Sequence, residues 1–358
     1  MHIPDGYLSP STCAVLYAGA GIGWYAALRR VKRVFTTRLI PLISVFAAFS
    51  FVLMMFNLPL PGGTTGHAIG VTIAAIVLGP SGAILALSIA ITIQALFFGD
   101  GGITTLGANC FNMAIMGSLV AYATYRLIAP GAALGSRRRI VAAAVAGYLA
   151  ANAAAFVAAI EFGIQPILFH NANGVPLYSP YSFSVSIPAM MIGHLAVAGI
   201  AEGAIAAGLV SYLQIADRAL LRATSGLGVN HDSAFESTLQ PSLRKLWITV
   251  ALLMLLTPLG ILAGGTAWGE WSTSQVNAAA SQKGVPTVSQ TQPQPTATPV
   301  GLPRLSSLWT APIPNYAPQF VKSPSFGYLL SAMFGVGLLM ASSLLAQRLL
   351  QRRRAGWP

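Results

Sequence analysis

Residues 184–213 read SVSIPAMMIGHLAVAGIAEGAIAAGLVSYL. Only His194 and Glu202 in this run can carry charge near neutral pH. A helix rises 1.5 Å per residue, so about 20 apolar residues cross a hydrocarbon core about 30 Å thick. In lipid the backbone must satisfy its own hydrogen bonds, which makes a helix the natural form of such a run. The stretch is therefore read as a membrane span.

Eight further runs have the same character: 10–28, 39–57, 66–79, 81–98, 103–127, 140–161, 246–263 and 325–347. The run at 66–79 is short and ends at Gly79-Pro80-Ser81-Gly82; it reads as a buried or tilted span, or a re-entrant piece. Over all 358 residues only 8% are charged, 55% are hydrophobic and mean hydropathy is +0.68. A soluble domain carries about 25% charged residues. The composition excludes a soluble globular protein and a disordered one, and the expected fold class is all-α, a polytopic membrane helix bundle. Cys13 and Cys110 lie in or beside apolar runs and suggest neither a disulfide framework nor a CxxC metal site.

The net charge of +12 has a topological reading. Of the 20 Lys and Arg, 17 fall in loops on one side: around 29–38, 126–139, 218–245 and 348–354. Only Lys283, Arg304 and Lys322 fall on the other. Basic loops stay in the cytoplasm. The N-terminus is therefore expected outside and the C-terminus in the cytoplasm, in a multi-pass protein of the cell inner or plasma membrane. The lipid membrane is the expected partner of this charge, not nucleic acid, since no basic–aromatic pattern accompanies it.

Residues 1–213 form a dense block of spans, 214–244 a polar cytoplasmic linker with Asp217, Asp232 and Glu236, and 245–358 a two-span unit around an external loop at about 272–323. Within that loop the stretch at about 272–303, which includes SQKGVPTVSQTQPQPTATP, is rich in Ser, Thr, Gln and Pro and reads as a flexible spacer. Trp268 and Trp271 follow a span, as interfacial aromatics do.

The chain opens Met1-His2-Ile3-Pro4-Asp5-Gly6, without the basic start of a cleavable signal peptide. His2 is too large to favour removal of Met1. An unblocked Met1 amine and the His2 amide nitrogen close a five-membered ring on a metal, and the His2 amide and its Nδ1 close a six-membered one. A fourth nitrogen completes a square plane, the geometry Ni(II) and Cu(II) favour. His67, after the glycine-rich Pro61–Gly66, is the candidate fourth ligand. The alternative is an exposed terminal His2 and an ordinary His67. Donor nitrogens must shed protons to bind a metal, so such a site tightens as pH rises.

Other residues have weaker signals. His170, in FHNANG, and His231 read as solvated. His194 and Glu202, eight apart, share roughly one helix face; they could line a substrate route, orient the ligands, or be structural groups satisfied by nearby backbone, the reading we favour. Asn109 and Asn112 could orient His2 or His67, or serve helix packing. Asp100 and Glu161 are expected near span ends, facing water or capping helices. Gly19/Gly23, Ser44/Ala48 and Ala86/Ala90 permit close helix approach. No Walker A and no HExxH occurs, so an enzymatic role is not expected.

MHIPDGYLSP, PGGTTGHAIG around His67, QALFFGDGG at 94–102 and GANCFNM at 107–113 together resemble one family, the substrate-specific S component of nickel/cobalt energy-coupling-factor importers (CbiM/NikM). TPLGILAGGTAWGEW at 257–271 resembles the two-span N-type, PDGLE-like accessory component. The resemblance implies a seven-span module fused to an accessory domain. It implies a square-planar site of the Met1 amine, His2 amide and imidazole, and His67 imidazole, with Ni(II) or Co(II) as the transported substrate. The Pro-Asp-Gly near the start resembles nickel-type members. The implied partners are a transmembrane T component and two cytoplasmic ATPases. The competing expectations are a metal-binding membrane sensor without transport and a proton-coupled permease using His194 and Glu202.

Overall fold

The computed structural model describes residues 1–33, 39–60, 64–218, 220–221, 239–263 and 301–354. Most of the expected spacer at about 272–303, most of the linker at 214–244, Trp268, Trp271 and His231 lie outside the described residues.

The chain is helical, as the apolar runs require. Its long elements are α1 (Pro10–Arg33), α2 (Leu39–Met54), α3 (Val71–Ile93), α4 (Leu106–Ile128), α5 (Arg137–Leu168), α6 (Phe183–Ala216), α7 (Leu239–Leu256), the short α8 (Gly301–Ser306) and α9 (Pro324–Arg354). A small hairpin, β1 (Leu58–Leu60) with β2 (Thr64–Gly66), pairs Leu58 with Gly66 and Leu60 with Thr64. The sequence reading did not anticipate it. At the head of α1, Ser9 Oγ accepts from Thr12 N at 3.1 Å and Pro10 starts the helix, where its missing N–H is no loss.

The packing is that of a membrane bundle: small residues inside, large ones outside. On α5 the buried positions Ala142, Ala146, Ala150, Ala154 and Ala158 recur every fourth residue. Val141, Val145, Leu149, Phe156 and Ile160 of the same helix are exposed. Lipid gives no hydrophobic drive to hide large side chains, so close backbone contact between small residues holds the helices together. Gly147 of α5 meets the Gly203 backbone of α6, where an added Cβ would sit 2.8 Å from Gly203 Cα. The Gly19 and Gly23 face of α1 lies on Phe111 and Ile115 of α4, as its spacing suggested.

The expected spans 66–79 and 81–98 are two limbs of one broken helix. Gly79 (φ 71°, ψ 169°) is non-helical, a left-handed position glycine tolerates, and Pro80 follows it. His67 and Asp100, before and after α3, both touch His2, so the chain reverses at this break. The first helical limb, Val71 to Leu78, is about 12 Å long, too short to cross alone. Val71 packs on Gly117, about 16 Å along α4 from its start. Residues 67–70 thus enter the bundle as non-helical chain, and the half-helix carries on from there.

The C-terminal segment lies on α2. Tyr328 Oη donates to Met55 O at 2.8 Å, Gly260 abuts the Met55 carbonyl, and Gly335 accommodates the Phe51 ring.

Candidate metal centre

The N-terminal nine residues fold back into the bundle. Met1, His2, Ile3, Tyr7 and Leu8 are all buried. Ile3 is tied at both backbone groups: its N–H donates to Asn109 Oδ1 at 2.7 Å, and its carbonyl accepts from Asn109 Nδ2 at 3.1 Å, Gly102 N at 3.2 Å and the Thr105 hydroxyl. The Asp5 carboxylate accepts from Ile103 N at 3.1 Å, Thr104 N at 2.7 Å and the Thr104 hydroxyl. Tyr7 O accepts from Ser179 N, and Ser9 N donates to Gln165 Oε1, both at 2.9 Å. Gly101 (φ 81°) must stay small: a Cβ there would meet Asn109 Nδ2 at 2.8 Å and press on His2.

These ties deliver His2 to His67. The ring centroids are 5.1 Å apart, tilted by 33°. Two imidazoles on one ion, with metal–nitrogen bonds of about 2.0–2.1 Å, place their centroids about 4–6 Å apart. His67 Nδ1 lies 3.2 Å from Ala68 O, which puts the proton on Nδ1 and leaves a lone pair on Nε2. That Nε2 is buried without a hydrogen-bond partner, as are both ring nitrogens of His2, whose Nδ1 has only an ion-pair contact with Asp100. Met1, next to His2 in the chain, is itself buried at 5% exposure. Among the described residues no three His, Cys, Asp or Glu side chains form a metal cage.

Asp100 is the residue the sequence reading underrated. Instead of merely facing water, it puts Oδ1 2.9 Å from His2 Nδ1. Burial works to raise its carboxyl, but the His2 ring, His67 and the Tyr316 hydroxyl together hold it below the usual carboxylate range. Glu161 is also buried rather than water-facing, and accepts from Asn112 Nδ2 at 2.8 Å. Asn112 therefore braces α4 against α5 and leaves the histidines alone, whereas Asn109 secures the residue beside His2.

Glu202 reaches the centre from α6. Its Oε2 accepts from Ile69 N and Gly70 N at 2.8 Å, and its Oε1 from Thr72 N at 3.2 Å. It fixes the strand of chain that follows His67. His194 does not join it: His194 Nδ1 bonds Met190 O of its own helix at 2.7 Å, and its Nε2 is buried without a partner. His170 is exposed in its loop, 3.1 Å from Asn171 O. Cys13 and Cys110 are buried free thiols.

Asn109→Ala removes two bonds to Ile3 at once. It is expected to destabilise the N-terminal segment by about 2–4 kcal/mol, read as faster amide hydrogen exchange at Ile3 with little change in the helices.

The fold and this buried terminus describe a polytopic α-helical membrane protein of the metal-transport class. The chain belongs to the CbiM family: residues 2–220 match the family described as "Cobalt uptake substrate-specific transmembrane region". It is 49% identical over 357 residues to the fused nickel transport protein NikMN of Rhodobacter capsulatus, covering 99% of this chain and all of that one. It is 41% identical over 292 residues to the probable fused nickel transport protein LarMN of Lactiplantibacillus plantarum, covering 80% of this chain and 83% of that one. A crystal structure of a truncated transition metal transporter shares 50% identity and superposes with a TM-score of 0.56, covering 60% of this chain and 98% of that one. The chain thus joins a CbiM/NikM-type region to an accessory region, as the fused relatives do.

Proposed function

We propose that this chain is the metal-capturing S component of an energy-coupling-factor importer, with Ni(II) favoured over Co(II) as its substrate. The observation that carries the reading is the buried, unpartnered Nε2 of His67, on a ring whose centroid lies 5.1 Å from that of His2 at the buried N-terminus. The ligands are the Met1 amine, the His2 amide nitrogen and Nδ1, and His67 Nε2. Four nitrogens in a plane suit Ni(II) and reject Mg(II) and Ca(II), which want oxygen. Copper would bind such a set as well, so selectivity against it rests on availability. The preference for nickel draws on the names of the fused relatives.

The N-terminus then faces outward and receives metal there, as the basic loops suggest. Residues 1–213 form the capture unit, 214–244 the linker and 245–358 the accessory unit. A chain with no Walker A motif moves metal uphill only with partners, which we take to be a transmembrane T component and two ATPases. Glu202 spends its carboxylate on three backbone donors, which disfavours the proton-coupled permease.

The test is nickel binding by calorimetry on the purified chain, with uptake of labelled nickel in cells. His67→Ala is expected to weaken binding at least a hundredfold and abolish uptake, whereas His170→Ala leaves both unchanged. Equal losses in the two variants would refute the ligand assignment, and binding without uptake in the presence of the partners would indicate a sensor.

A further inference from the structure

The C-terminal segment reaches the N-terminal site. Trp309 Nε1 donates to Leu96 O and Ile313 N donates to Phe97 O, both at 2.9 Å. These carbonyls belong to the π-helical turn Gln94–Phe98 that ends α3, where carbonyls lack partners within the helix. The segment then places two successive non-glycine residues in the left-handed region, Asn315 at φ 55° and Tyr316 at φ 58°. Such a conformation persists only where its surroundings fix it. Its effect is to bury Tyr316. The ring stacks on Phe98 at 4.6 Å, the carbonyl accepts from Ser331 Oγ at 2.9 Å, and the hydroxyl donates to Asp100 Oδ2 at 2.6 Å. Gln94 Nε2 donates to the Tyr316 oxygen at 3.0 Å and reaches the same carboxylate oxygen at 3.4 Å. The other oxygen of Asp100 lies 2.9 Å from His2 Nδ1.

We infer that Tyr316 is a positioning residue that holds Asp100 against His2 Nδ1, so that the docked C-terminal segment lowers the metal affinity of the N-terminal site. The inference rests on the chelate proposed above and adds a control to it. Of the two His2 ring nitrogens, only Nδ1 can close a six-membered ring with the His2 amide. Asp100 and the metal therefore compete for one atom. A contact made only in the metal-free state opposes binding by the free energy it contributes there. Tyr316 and Gln94 pin Oδ2, which keeps Oδ1 aimed at His2. Docking favours release, and undocking favours capture. By reciprocity, bound metal weakens the docking of the segment.

Tyr316→Phe tests this in the full-length chain, because it keeps the stack on Phe98 and removes only the hydroxyl. Nickel(II) alone is the probe, with affinity by calorimetry and dissociation by stopped-flow chelator competition. The expected result is about tenfold tighter binding, carried mostly by slower dissociation. In an Asp100→Asn background, where no carboxylate remains to brace, the same substitution changes nothing; a role for Tyr316 in packing alone would act equally in both backgrounds. Unchanged or weaker binding in Tyr316→Phe, or an equal gain in both backgrounds, overturns the inference and leaves the chelate standing. Failure of the unaltered chain to bind nickel, or full binding by His67→Ala, overturns the chelate and this control with it.

Discussion

A few residues added ahead of Met1 are expected to reduce nickel affinity by about a hundredfold to a thousandfold, while the same residues added after Pro358 leave it unaltered. The magnitude follows from the donor count. A four-ligand site of nitrogen and sulfur donors contributes about 10–16 kcal/mol, so one donor of four accounts for about 3–4 kcal/mol. An extension turns the terminal amine into an amide and breaks the five-membered ring. It must also find room where Met1 is only 5% exposed. Steric displacement alone could lower affinity, so the extension has a chemical counterpart. Acetylating the Met1 amine adds few atoms and removes the same donor. Both modifications should weaken binding to a similar degree, with thermal unfolding of the helical bundle little changed. Tight binding by the acetylated protein would show that the amine is no ligand, whatever the extension does.

Much of this architecture was legible before the structure. Long apolar runs and sparse charge specify a membrane bundle, and the chain start Met1-His2 points to the proposed chelating terminus. His67 was reachable because the glycines before it let chain approach a ligand. Three features were not. The alanine ladder of α5 carries the same small-residue code as Gly19 and Gly23, but alanine is so common here that its fourfold period is easily lost. The break at Gly79 was visible as Gly-Pro, yet nothing local says that the helical limb before it begins only at Val71. Asp100 and Glu202 were visible as rare acids; their partners were not, because those partners are backbone amides and a ring from distant segments. Glu202 meets residue 69 across 133 positions of sequence, a pairing that depends on the fold as a whole.

Glu202→Leu should cost stability and metal affinity together, and that coupling distinguishes an anchor from a proton carrier. The half-helix from Val71 begins inside the bundle, where its first N–H groups have no water to bond and no preceding turn to serve. The Glu202 carboxylate accepts three N–H groups at that end and sets its charge against the positive end of the helix dipole. Leucine fills similar volume but leaves those donors bare, at about 1–3 kcal/mol each. His67 lies two residues before the first of them, so its ring loses its fixed approach to His2. We expect a destabilisation of about 3–6 kcal/mol, with nickel affinity falling at least tenfold. Glu202→Gln is the sharper comparison. Its amide oxygen can still serve Ile69 and Gly70, while its NH2 group confronts the Thr72 donor, so both effects should appear at intermediate size. A proton-carrying glutamate predicts the opposite pattern in the Gln variant: intact folding, intact nickel binding and lost transport. Melting temperature, calorimetry and uptake measured on the same two variants decide between them.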